Sequence, residues 1–272
     1  MKNINKLIIA LLSLSFLMAS CGEPVDITAD YDVNKNSGKV PPVVIEAWLL
    51  NGSETQYVIV SKPVAINNGG RNYVNNATVV YSDDKGNTAN LTFVGNGRYE
   101  TNSFPGINDG RVYKLQVTVD GKIYESLSKI PVTPLPIDSI RAEPNEDKPG
   151  KYVGKLYANV HTTFDEYYVF RFYRNDTLQN QPTDIFVASN SGLNGRIPGI
   201  ELLSDYKKGD EIKCEFFSIS KESFDFYTGW QNQVNNDGGM FSGPPANIKG
   251  NIPGAMGLFQ TNYIIRDSVV IQ

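Results

Sequence analysis

The chain has 272 residues, 40% hydrophobic and 20% charged, with 24 Gly and 15 Pro, which is enough for one large or two small folded domains. Its formal charge is −4; without residues 1–20, which hold Lys2 and Lys6 and no acid, 23 basic side chains face 29 acidic ones, a net of −6. A mildly acidic body with no Lys/Arg cluster excludes an electrostatic footprint for nucleic acid, and adhesion to anionic headgroups by charge alone.

The N-terminal 21 residues fall into three zones. Lys2 and Lys6 form a positive start, Leu7 to Leu17 an apolar run of 11, and Ala19-Ser20 a small pair before Cys21. Eleven residues span only about 16 Å as a helix, roughly half a bilayer core, so a permanent transmembrane helix is not expected. The pattern is that of a secretory signal. Its end, LMASC, resembles the bacterial lipoprotein signal, which implies cleavage before Cys21 and acylation of it; Met18 stands where Leu is usual. The weaker alternative is a plain secreted protein cut near Ala19. Residues 1–20 are thus a signal peptide, and 21–41, polar and aperiodic, a lipidated tether. Each buried methylene contributes about 0.8 kcal/mol, so a multiply acylated Cys21 needs no further membrane-binding surface.

Seven short strand-like runs follow between Val43 and Lys129: VVIEAWLL (43–50), QYVIVSK (56–62), ATVVYS (77–82), ANLTFV (89–94), GRYE (97–100), VYKLQVTV (112–119) and KIYESLSK (122–129). In the sixth, Tyr113, Leu115, Val117 and Val119 alternate with polar residues, and Asp120-Gly121 closes a two-residue hairpin to the seventh. DDKGN (83–87) is a turn between the third and fourth. This spacing predicts an immunoglobulin-like β-sandwich over 42–130.

Three prolines within 131–136 then mark an extended connection and a domain boundary. A second β-rich domain, 131–272, is expected to contain a hairpin of LYANVHTTF (156–164) and YYVFRFYRN (167–175) turning at Asp165-Glu166. Further strands are DIFVAS (184–189), DEIKCEFFSIS (210–220) and NYIIRDSVVI (262–271). One helix is predicted at about 221–234, with Ser220 as N-cap and Glu222 in its first turn. Phe224, Tyr227 and Val234 share one of its faces, and Phe226 and Trp230 another, as a wedge between sheet and loop would need. The fold class is therefore mainly β, a sandwich followed by a β-rich domain with one short helix.

His161 is the one histidine and sits in a strand-like run, where a surface hydrogen bond is the plain reading and catalysis the sharp one. Cys214 reads as a small buried apolar residue. No H-E-x-x-H, paired C-x-x-C, G-x-S-x-G or phosphate-binding glycine motif is present. The glycine-rich runs NNGG (67–70), NDGG (236–239) and 243–257 read as loops, and Asp83/Asp84 and Asp165/Glu166 as turn formers. No catalytic, cofactor-binding or metal-ligating residue is expected, and no cofactor beyond the acyl lipid. Lipid attachment at Cys21 is the one site.

The order of VVIEAW, TVVYSDDKGN, YKLQVTVDGKIY, PLPIDSI, GDEIKCEFFSISKESFDFY and PPANIKGNIPGAMGLF is similar to a family of Bacteroidota outer-membrane lipoproteins of unknown function. Members are typically encoded beside TonB-dependent, SusC-like receptors. The resemblance covers nearly the whole mature chain and carries no catalytic residues across. It implies an outer-membrane, surface-exposed lipoprotein serving as a non-enzymatic accessory or ligand-binding subunit of a TonB-dependent β-barrel. Loops 67–76 and 236–257 are the first places to look for binding. DSI (138–140), DTL (176–178) and DSV (267–269) also match the Asp-Ser/Thr-aliphatic pattern of O-glycosylation in that phylum. Two readings stand beside this one: a stand-alone surface adhesin or glycan-binding lipoprotein, which requires solvent-exposed aromatics, and a β-scaffold hydrolase, which requires a cleft at His161 or at paired carboxylates.

Overall fold

The computed structural model describes residues 42–272 apart from 53, 65–69, 108–110, 130–132, 180–185, 202–204 and 235–247. Cys21, the signal and the tether lie outside the described residues, as do parts of both loops expected to bind.

The first half supplies β1 (Val44–Leu50), β2 (Gln56–Lys62), β3 (Asn72–Tyr73), β4 (Thr78–Asp83), β5 (Thr88–Asn90), β6 (Thr92–Gly95), β7 (Arg98–Thr101), β8 (Val112–Val119) and β9 (Lys122–Lys129). The alternation in β8 is realised as a strictly alternating burial pattern. Asp120 (φ 49°) and Gly121 (φ 79°) form the left-handed pair that a two-residue turn to β9 demands. At 83–87 the Asp83 carboxylate accepts the backbone N–H groups of Lys85 and Asn87, both at 2.9 Å, and so fastens the turn into β5. ANLTFV is not one strand. It breaks at Leu91, so that β5 pairs with β4 while β6 pairs with β7 in another sheet. The side chains of Thr92, Phe93 and Val94 are exposed, which removes the pull that would hold β6 in the first sheet.

The second half contributes β10 (Ile137–Pro144), β11 (Tyr152–Asn159), β12 (Tyr167–Arg174), β13 (Thr177–Leu178), β14 (Phe186–Ser189), β15 (Arg196–Glu201), β16 (Glu211–Ile219), helix α1 (Lys221–Val234) and β17 (Met256–Val270). The hairpin expected at Asp165-Glu166 does not form. β11 pairs with β10 and β15, while β12 pairs with β13, β14 and β16 in a different sheet. The segment between them is a crossover from one sheet to the other.

Three sheets result. A ten-stranded sheet runs β13-β12-β16-β17-β1-β2-β7-β6, with β14 on β12 and β3 on β2. The other two are β5-β4-β8-β9 and β10-β11-β15. The large sheet is a common wall. At one end of one face it packs on the four-stranded sheet around Ile45, Leu49, Val60, Tyr81, Leu115 and Phe259. At the other end of that face it packs on the three-stranded sheet around Leu156, Phe170, Cys214 and Phe216. Both are two-sheet sandwiches, the first of immunoglobulin-like architecture. The boundary expected at residue 131 is crossed by β17. Its first part pairs in parallel with β1 (Val44↔Met256 to Leu50↔Asn262), and its second part antiparallel with β16. Ile252 and Phe259, far into the second half, therefore belong to the first core. Asn251 holds this arrangement by a reciprocal pair of hydrogen bonds to the backbone of Phe259, at 2.7 and 2.8 Å.

The opposite face of the large sheet carries a third apolar cluster of Trp48, Leu50, Val169, Phe217, Ile219 and Ile264. Helix α1 covers it with Phe224 and Tyr227. The Ser220 hydroxyl accepts the Ser223 N–H at 3.2 Å, which is the expected N-cap.

Candidate functional site

Side chains alternate across a strand, so β1 sends Ile45, Ala47 and Leu49 into the first core and turns Glu46, Trp48 and Leu50 to the opposite face. β17 likewise turns Leu258, Gln260, Asn262 and Ile264 that way, and β12 turns Val169 and Arg171. Where α1 fails to cover this face completely, a cleft of about 600 Å³ remains between helix and sheet. That lies within the range of about 300–1,000 Å³ usual for small-molecule sites.

Trp48 and Tyr57 are cross-strand partners whose rings stack at 6.4 Å. The Arg171 guanidinium lies 4.2 Å over the Trp48 ring and 5.1 Å from that of Phe217. Among the described residues, no carboxylate stands within ion-pair distance of Arg171. Phe226 and Trp230 of α1 supply the facing wall. At the rim Arg71 pairs with Glu46 at 3.5 Å, both largely exposed. The chain's two tryptophans, Trp48 and Trp230, thus both line this one cleft.

Gln260 sits beside Trp48 in register and is only 3% exposed. Its Nε2 donates to the Tyr227 hydroxyl at 3.0 Å, and burial holds that phenol's pKa up at about 12, so it stays protonated. The Gln260 Oε1 is buried without a partner, and behind it both amide atoms of the fully buried Asn262 are unpartnered among the described residues. A buried amide without a hydrogen bond costs about 1–3 kcal/mol, so these three atoms leave polar valency next to the cleft.

Of the described residues in the expected binding loops, Arg71 and Gly257 line the cleft. The helix aromatics singled out as a wedge do contribute: Phe226, Tyr227 and Trp230 line the cleft, half-buried. Trp48, Tyr57, Arg171 and Gln260 were missed. Two signals point to them: VIEAWLL is apolar at positions facing both ways, and Arg171 is a charge set between Phe170 and Phe172 in the middle of an aromatic run.

His161 lies elsewhere. Its Nδ1 is 2.9 Å from Glu166 Oε1, and Glu166 Oε2 accepts the His161 N–H at 2.7 Å and the Tyr168 hydroxyl at 2.6 Å. Glu166 is 3% exposed, so it is no turn former; Asp165 beside it is exposed. Asn190 accepts the Glu166 N–H at 2.9 Å and donates to the carbonyls of His161 and Phe164 at 2.9 and 2.8 Å. The network ties together the β11–β12 and β14–β15 crossovers beside a shallow hollow of about 440 Å³. Among the described residues no hydroxyl or thiol is hydrogen-bonded to the imidazole, so an oriented base is present without a nucleophile. Cys214 is fully buried and burial pushes its thiol pKa well up, which makes it inert. Among the described residues, no three His, Cys, Asp or Glu side chains are grouped to hold a metal. No helix of the described residues is long and apolar enough to cross a membrane.

Fold and cleft together define a double β-sandwich protein with one helix laid over the shared sheet. The chain belongs to the DUF4249 family, a domain of unknown function, whose sequence profile matches residues 24–262. No curated protein is significantly similar in sequence. Among solved structures, a two fibronectin type-III domain segment from chicken tenascin is 12% identical, over 62% of this chain and 85% of that one. Its TM-score is 0.21, too low to add to the topology above.

Proposed function

We propose that this protein is an outer-membrane lipoprotein, anchored through acylated Cys21 and exposed at the cell surface, that binds a ligand without transforming it beside a TonB-dependent, SusC-like β-barrel. The observation that carries the binding role is the cleft under α1. It combines aromatic walls with a guanidinium that is in no ion pair and buried amide atoms that have no partner among the described residues, whereas none of those residues offers a nucleophile to the imidazole of His161, which its carboxylate partner orients. The membrane placement rests on residues 1–21 and on the order of motifs shared with lipoproteins encoded beside such barrels. A transporter subunit that holds cargo needs a site of this kind and no catalytic set. The tether of 21–41 lets the body reach a neighbour without a membrane-binding surface of its own.

The test is affinity purification of the native protein from gently solubilised outer membranes, with Cys21→Ser alongside. A β-barrel is expected to co-purify, and the variant is expected in the soluble fraction. Recovery of the lipidated protein with no barrel would leave a stand-alone binding protein instead, and an unaltered membrane fraction for Cys21→Ser would remove the anchor.

A further inference from the structure

We propose that the cleft between α1 and the large sheet takes an acidic saccharide, with its carboxylate on Arg171, its ring against the aromatic walls and its hydroxyls on the buried amides. This rests on the cleft being the binding site, and names the ligand class.

Charge comes first. Arg71 and Glu46 neutralise one another at the rim, and Glu215, opposite Arg171 in register, is taken up by Arg266 and the Tyr173 hydroxyl, which leaves Arg171 as the cleft guanidinium held in no ion pair among the described residues. A guanidinium whose carbon lies 4.2 Å from the indole centroid is held by the ring's quadrupole, and among the described residues no hydrogen bond takes up its N–H groups. Those groups match a carboxylate bidentately, and the partly dry setting strengthens the pair.

The amides decide what else the ligand carries. Among the described residues Gln260 Oε1 lacks a donor, and Asn262, which lies behind it and outside the lining of the cleft, lacks both a donor and an acceptor. Hydroxyl groups donate and accept at once, so a polyhydroxylated ring can meet these needs once the Gln260 side chain turns toward the cleft it lines, or through a bridging water. An aromatic acid offers acceptors alone and would leave Gln260 Oε1 orphaned. Phe226 and Trp230 give the apolar C–H face of a sugar ring something to lie on, as amphipathic aromatic sites do. A chain of sugars can also leave through the open side of the cleft.

Because Trp48 and Trp230 are the chain's two tryptophans, fluorescence excited selectively at tryptophan, to the red of the 15 tyrosines, reports this site. The experiment titrates the full mature chain, in detergent, with uronic-acid tetramers (galacturonate, glucuronate and mannuronate). Their carboxyl-reduced neutral counterparts and tetraglutamate serve as comparisons. At least one uronate is expected to give a saturable change, at least about tenfold tighter than its neutral counterpart, the worth of one charge-assisted contact. Arg171→Gln should weaken it by about tenfold or more and Arg171→Lys by less, with the preference fading as salt is raised. The acid-against-neutral comparison on the unaltered protein stands even if the variants fold poorly. No saturable change with any uronate, equal binding of the neutral tetramer, or equal binding of tetraglutamate would each overturn the proposal. If no uronate binds while the barrel co-purifies, the ligand class alone is wrong. If a uronate binds with no barrel present, the transport role falls and this assignment stands.

Discussion

Glu166 shows how much one buried carboxylate can organise. It receives the His161 N–H, the Tyr168 hydroxyl and the His161 ring, and its own backbone is held by Asn190. Glu166→Ala takes the acceptor from the His161 N–H, the buried Tyr168 hydroxyl and the imidazole, so a loss of roughly 2–4 kcal/mol is expected, read as a lower urea midpoint at unchanged slope. Asp165→Ala, at an exposed neighbour, should move the midpoint by no more than about 0.5 kcal/mol. An equal effect at both positions would refute the assignment. The sequence offers only two adjacent acids, and acids favour turns. What separates them is Asn190, 24 residues away from Glu166, and no local pattern encodes that contact. Arg171 was hidden for a related reason: its meaning depends on Trp48 of a strand from the other half of the chain.

Elements were legible where their cause was local. Ser220 and the aromatic spacing located α1, and Asp120-Gly121 located the β8–β9 hairpin, because caps and turns are short-range chemistry. The break at Leu91 and the crossover at 160–166 were not legible, since a strand-like run says nothing about which sheet it joins. The β1–β17 pair escaped for the same reason, yet a glycine marks it. Gly257 has φ +103°, and a Cβ there would come within 2.0 Å of the Ile45 carbonyl oxygen. Gly250 in turn would strike the Gly257 carbonyl oxygen at 1.8 Å. The three backbones thus stack with no room for a side chain. Gly257→Ala should cost more than about 2 kcal/mol, since strain and displacement of the parallel pair add. Thermal unfolding checks this, with Gly121→Ala as a turn control where a Cβ meets open space. A Gly257→Ala loss no larger than the control's would show that the close approach is relieved cheaply.

At the scale of the molecule, a domain division drawn from proline spacing meets a sheet that ignores it. β17 completes the first core with Phe259 and closes the second with Ile265 and Val269. Ser128 and Thr261 add a buried hydroxyl contact of 3.0 Å across the first sandwich. The two sandwiches should therefore unfold in one calorimetric transition. A fragment of residues 42–130 should lack dispersed amide resonances, since β1 loses its parallel partner and the core loses Ile252 and Phe259. A well-dispersed spectrum from that fragment, or two separate transitions in the whole chain, would disprove the coupling. The same strand imposes an order in time. Val44 waits for Met256, so the earliest strand pairs on one side with β2 but finds its other neighbour only when residues 256–262 have been made and delivered. Contacts so distant in sequence form slowly. A product that stops short of residue 256 leaves β1 with a bare edge and the first core without Phe259, so a truncated chain displays what the finished one conceals.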